Sequence, residues 1–120
     1  MYFELENKVL DLKGTAVKDE KGMDVTVKNV LLDALTSPIQ NEAGDHKFKK
    51  YSIAKKIFDN EREDGWTELT IEEVSLVKEL VGKMYAPIIV GFIWNFLEGK
   101  THKLKLAEVK SNDPEPEKGN

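Results

Sequence analysis

Cysteine is absent from all 120 positions, so disulfides, thiolate metal sites and a cysteine nucleophile are excluded and a reducing compartment is allowed. Excess positive charge is absent too. Eighteen Lys and Arg stand against 22 Asp and Glu, net −4, which argues against non-specific binding to nucleic acid or anionic lipid. There is no long apolar run: APIIVGFIWNFLEG, residues 86–99, is the most hydrophobic stretch. As a helix over 86–97 it would reach about 18 Å, short of the ~30 Å hydrocarbon core of a bilayer. The opening Met-Tyr-Phe-Glu-Leu-Glu places acids where an export signal needs a basic and then an apolar segment. No leader, no membrane partner and a cytoplasmic location are therefore expected.

Recognisable chemistry is equally scarce. His46 and His102 have no second histidine at ligand spacing and no evident nucleophile to serve, and both read as exposed bystanders. The acidic run Asp59, Glu61, Glu63, Asp64 precedes Gly65 and invites a calcium-loop reading. With Gly65 at the sixth loop position, however, the twelfth falls on Ile71, where a bidentate Glu is required. Gly99-Lys100-Thr101 ends like a phosphate-binding loop, but Trp94 stands where the motif needs its first Gly, and the triplet follows a helix instead of preceding one. The remaining carboxylates fall on polar faces and turns without a partner to tune them. No catalytic residue, metal site or cofactor is expected, and the chain reads as a non-enzyme.

What is present is a pattern of short elements. Leu10 and Leu12, then Met23, Val25 and Val27, alternate around Gly14 and Lys18–Gly22 and predict an N-terminal β-hairpin with one covered face. Thr26 reads as the N-cap of a helix over 27–35 with Val30, Leu31, Ala34 and Leu35 inward, ended by Ser37-Pro38. A second helix is expected from His46 to Asp59, with Phe48, Tyr51, Ala54, Ile57 and Phe58 facing the core. Trp66-Thr67-Glu68-Leu69-Thr70 reads as a third short strand, and Thr70 and Glu73 then form a capping box opening a helix over 71–85. The broad apolar stripe of that helix requires two neighbours. Pro87 opens and Gly99 closes the last helix, over 87–98, whose apolar circumference asks for surrounding chain, either its own or a second subunit's.

These elements make an α+β, mainly helical single domain over 1–99, with about four helices. The segment 100–120 is expected to add one short strand and then a disordered tail of the composition SNDPEPEKGN. DVTVKNVLLDAL and ELTIEEVSLVKEL both run from an extended residue through Thr into a helix, which would set two strand-cap-helix units side by side with adjacent strands.

Three stretches, LDLKGTAVKDEKGMDVTVKNVLLDAL, KKYSIAKKIFDN and TELTIEEVSLVKELVGKMYAPIIVGFIWNFLE, occur in this order. The succession resembles a group of small proteins of tailed bacteriophages and prophages for which no activity or catalytic residue is established. The resemblance spans about residues 10–98 and implies expression in the cytoplasm of an infected bacterium and a role in binding rather than turnover. The leading expectation is a phage accessory protein acting by protein–protein contact, through self-association or capture of a host or virion-assembly factor. Trp66, Phe92, Trp94 and Phe96 are the candidate interface, because aromatics mark binding surfaces. Trp66 has a second reading, as a lid on the core. The alternative is a nucleic-acid-associated regulator whose contacts are Lys47, Lys49, Lys50, Lys55 and Lys56.

Overall fold

A computed structural model describes residues 1–60 and 65–99, and its elements run β1 (Tyr2–Phe3), α1 (Val27–Thr36), α2 (Gly44–Phe58), β2 (Thr67–Glu68), α3 (Ile71–Met84) and α4 (Pro87–Leu97). The strand and tail expected over 100–120, and the acidic positions Glu61, Glu63 and Asp64, lie outside the described residues. The fold is α+β and mainly helical. Its two-stranded sheet joins the start of the chain to its middle: β1 and β2 pair antiparallel, Tyr2 opposite Glu68 and Phe3 opposite Thr67.

The local signals set the helix ends. The Thr26 hydroxyl accepts from Asn29 N at 3.2 Å to open α1. At α3 the capping box closes in both directions: Thr70 N donates to Glu73 Oε1 at 2.9 Å and Glu73 N to Thr70 Oγ1 at 3.1 Å. Pro87 sits in the first turn of α4, where its missing N–H costs nothing. Val27, Leu31, Ile57, Leu69, Val77, Val81 and Ile93 are fully enclosed in one continuous core. α1 packs against α2 and α3, and α3 also against α4, the two neighbours its broad stripe demanded.

Between Leu10 and Val27 the chain is extended, as expected, but it is not one hairpin. Two turns of the same build follow each other, Asp11-x-Lys13-Gly14 and Asp19-x-Lys21-Gly22, eight residues apart. In each, the Asp carboxylate accepts from two backbone N–H groups, those of Lys13 and Thr15 and those of Lys21 and Met23. The glycines take φ of 83° and 82°, the left-handed position that closes a three-residue hairpin loop. Val9, Val17 and Val25, also spaced by eight, bond in a ring: Val9 N to Val25 O, Val25 N to Val17 O and Val17 N to Val9 O, at 2.8–2.9 Å. Two hairpins thus fold into a closed triangle with isolated bridges in place of a ladder. Asp24 ties it from outside by ion pairs to Lys8 at 2.9 Å and to Lys18.

Three further expectations change. α1 and α3, the helices of the two cap-helix units, do pack, but their strands are not adjacent, because β2 pairs with β1 while the residues before α1 belong to the valine triangle. α4 is not enclosed on every side. Ile93, Phe96 and Leu97 are buried, whereas Pro87, Ile88, Gly91 and Asn95 face outward, since the helix is apolar by composition and only half of it is needed by the core. The third change concerns α2 and creates the molecule's most conspicuous surface.

Candidate interaction surface

The residues of α2 that enter the core are Lys50, Ile53, Ala54 and Ile57. Their i, i+3, i+4, i+7 spacing defines an inner stripe, with a lysine at its first position. The expected inner face, built on the aromatics, lies about a third of a turn away. Phe48, Tyr51 and Phe58 therefore stand outward, 68%, 58% and 69% exposed.

Lys50 occupies a core position because its charge is met there. Its side chain is 3% exposed and its ammonium donates to Ser37 O at 3.0 Å, past the end of α1, and to Glu42 Oε1 at 3.2 Å. Glu42 is delivered by the α1–α2 loop, which reverses at Asn41 (φ 63°), a residue type that tolerates the left-handed region. The His46 ring contacts the same carboxylate, Nδ1 to Oε2 at 2.5 Å. Burial opposes the charge on Glu42, but the hydrogen bonds from Lys50 and His46 outweigh it and hold its carboxyl below the ordinary value. His46 is accordingly not a bystander but one arm of a Lys–Glu–His cluster that clamps α2 to the end of α1.

This clamp fixes the outward face. Beside it, Leu35, Pro38, Glu42, Lys47, Lys50 and Tyr51 line a cleft of about 300 Å³ that opens onto the aromatic stripe. At the far end, Lys28 of α1 holds its ammonium 5.9 Å from the centre of the Phe58 ring. Lys55 is bonded to Asp59 at 2.7 Å, and that carboxylate holds its ammonium above the ordinary value. Lys56 bonds Glu73 at 2.6 Å, linking α2 to the cap of α3. The backbone amide of Thr70 also donates to Glu73, and with Lys56 it keeps that carboxyl low against the opposing effect of burial.

The structure separates the residues singled out in the sequence. Phe96 is 1% exposed and belongs to the core, with the Phe3 ring 6.0 Å away. Phe92 is half-buried and stacks on Phe96 at 6.4 Å. Trp94 is partly exposed but engaged: its indole N–H donates to Lys78 O at 3.1 Å, and Lys78 Nζ lies 4.9 Å above its ring. Trp66 is half-buried and lines a shallow groove with Met1, Tyr2, Phe3 and Leu97. These four do not form one patch. Of the five lysines, Lys50 is removed to the core and Lys55 and Lys56 are ion-paired, while Lys47 and Lys49 are exposed and make no ion pair among the described residues. Sequence reasoning missed Phe48, Tyr51 and Phe58 as surface residues. The signal that would have found them is the stripe 50, 53, 54, 57, disguised by its lysine.

No group of three or more His, Asp or Glu suited to a metal occurs among the described residues, and no helix among them is long and apolar enough to cross a membrane. Comparison with protein-family models, with curated proteins and with solved structures found no match to the chain.

Proposed function

We propose that this chain is a small non-enzymatic binding protein, a bacteriophage accessory factor, that recognises another protein through the outward face of α2. One observation carries the reading: three large aromatic side chains stand on one face of a helix whose inner stripe is clamped into the core, so apolar surface is displayed on a rigid support. Burying three such rings on a partner removes several hundred Å² of apolar surface from water, and aromatic anchors of this kind dominate interface energies. Within the aromatic set expected from the sequence, Phe96 is in the core and Trp94 is already bonded, which favours the α2 face over α4.

Affinity capture of the tagged protein from bacterial lysate, with and without nuclease, tests the reading when paired with Phe48→Ser/Phe58→Ser. A nuclease-resistant protein is expected with the native chain and not with the variant. Identical recovery by both, with the variant folded, rejects the α2 face.

Nucleic acid is the second reading, favoured by the exposure of Phe48 and Tyr51 next to Lys47 and Lys49, since bases stack on aromatic rings. It predicts binding of single-stranded oligonucleotide that weakens steeply with salt. Absence of a mobility shift at low ionic strength would end it.

A further inference from the structure

The outward residues of α2 repeat in a specific way. Phe48, Tyr51, Lys55 and Phe58 are spaced three, four and three, the a–d–a–d seam of a coiled coil with a lysine at the second a position. α2 thus carries two stripes, 50, 53, 54, 57 spent on the core and 48, 51, 55, 58 turned to solvent. The seam runs over about 15 Å, three helical turns.

Charge narrows what can cover it. α2 holds five lysines against one aspartate; Lys50 is met by Glu42 in the core and Lys56 by Glu73, so the cations that border the seam are Lys47, Lys49 and Lys55, the last bonded to Asp59. Lys47 and Lys49 flank Phe48, and Lys28, paired with Glu6 at 3.5 Å, lies beside Phe58. A second copy pairing α2 with α2 would set these cations against one another, and in parallel register Lys55 against Lys55. A basic partner meets the same repulsion. An acidic helix is attracted by the same lysines, with Asp59 as the carboxylate beside the seam, and a single polar residue at an a position is the device by which a seam selects its partner and register.

We infer that the outward face of α2 docks one acidic amphipathic helix of a partner protein, its apolar stripe over Phe48, Tyr51 and Phe58 and a carboxylate opposite Lys55. The inference rests on the reading of α2 as the docking face. In the free protein Asp59 occupies the Lys55 ammonium from one turn away, and in the complex the partner's carboxylate shares or replaces it. The cleft at Leu35 and Pro38 takes a side chain from the N-terminal edge of the seam.

The test is selection of random peptides of about four helical turns, displayed on yeast, against the intact protein with counter-selection on Phe48→Ser/Phe58→Ser. Both changed residues are exposed, and unaltered circular dichroism and melting of the variant confirm its fold. Survivors are expected to carry apolar residues at i, i+3 or i+4, and i+7, and to be enriched in Asp and Glu. A synthetic survivor should lose about tenfold or more in affinity for Lys55→Glu, and exchanging its facing acid for Lys should restore binding to that variant. Face-dependent survivors without acidic enrichment, or without the charge-swap rescue, overturn the acidic partner and leave the docking face standing. Survivors indifferent to Phe48 and Phe58, or no survivors, overturn both. Tighter binding of a thymidine oligonucleotide, lost in Lys47→Glu/Lys49→Glu, overturns the inference in favour of nucleic acid.

Discussion

A lysine at a core position decides how α2 sits. Lys50 Nζ leaves water for one backbone carbonyl and one carboxylate, and among the described residues Glu42 in turn has Lys50 and His46 to offset its burial. Buried pairs of this kind are costly to break singly and cheap to replace together, because the penalty lies in the charge left behind. Lys50→Met should therefore lower the melting temperature markedly. The double change Lys50→Met/Glu42→Gln should recover most of the loss, and a double variant no more stable than the single one would contradict the account. The same cluster fixes the acid limb of stability. Glu42 and Glu73 both titrate below the ordinary value of 4.5 in the folded chain, so the native state binds their protons less readily than the unfolded chain does. Their stabilisation is complete above about pH 4.5 and is lost as pH falls through the depressed values. A melting series from pH 6 to pH 2 should decline on that limb, and Glu42→Gln should flatten it.

Among the elements, the valine triangle has the least conventional support, since its order rests on two turns rather than on a strand ladder. Each turn requires a glycine with positive φ, and a Cβ there would meet no neighbour within 4 Å, so the cost of Gly14→Ala or Gly22→Ala is conformational, about 1 kcal/mol each. Thr70→Ala removes the hydroxyl half of the α3 cap and should cost about 1 kcal/mol as well. Chemical denaturation of the three variants measures both values. These elements also show what could be read beforehand. Thr26 and Thr70 act through their hydroxyls on the next turn and Pro87 and Gly99 through their own backbones, and the helix ends they predict agree with those found within a residue or so. Between Asp11 and Gly22 the eight-residue repeat was open to inspection, but its closure into a ring depends on hydrogen bonds across sixteen residues that no local pattern specifies. Of the face expected for α2, Ala54 and Ile57 are buried and Phe48, Tyr51 and Phe58 are not, for a single reason: the aromatics outweigh a regular stripe whose first position is Lys50, and the Ser37 carbonyl and Glu42 from the preceding loop make that position tolerable inside. The proposed interaction surface is hidden for the same reason, since residues placed in the core are not considered as contacts.

For the molecule as a whole, charge is uneven by composition, net +4 on α2 and −8 elsewhere, with Glu42, Asp59 and Glu73 brought onto Lys50, Lys55 and Lys56. On the proposed docking to an acidic helix, Lys55 acquires a second role. It would oppose closure of the seam on another copy, because an ammonium placed between apolar side chains in a self-paired helix is desolvated. Replacing it removes that barrier while leaving the inner stripe untouched. Lys55→Leu completes an unbroken Phe48, Tyr51, Leu, Phe58 seam, and the variant should associate with increasing concentration in light scattering at moderate salt. Adding Phe48→Ser to it should return the mass to that of the native chain. If the native protein already associates through this seam, Phe48→Ser/Phe58→Ser alone would lower its mass and Lys55→Leu would add little, and the lysine could not be the element that keeps the face open for a different partner.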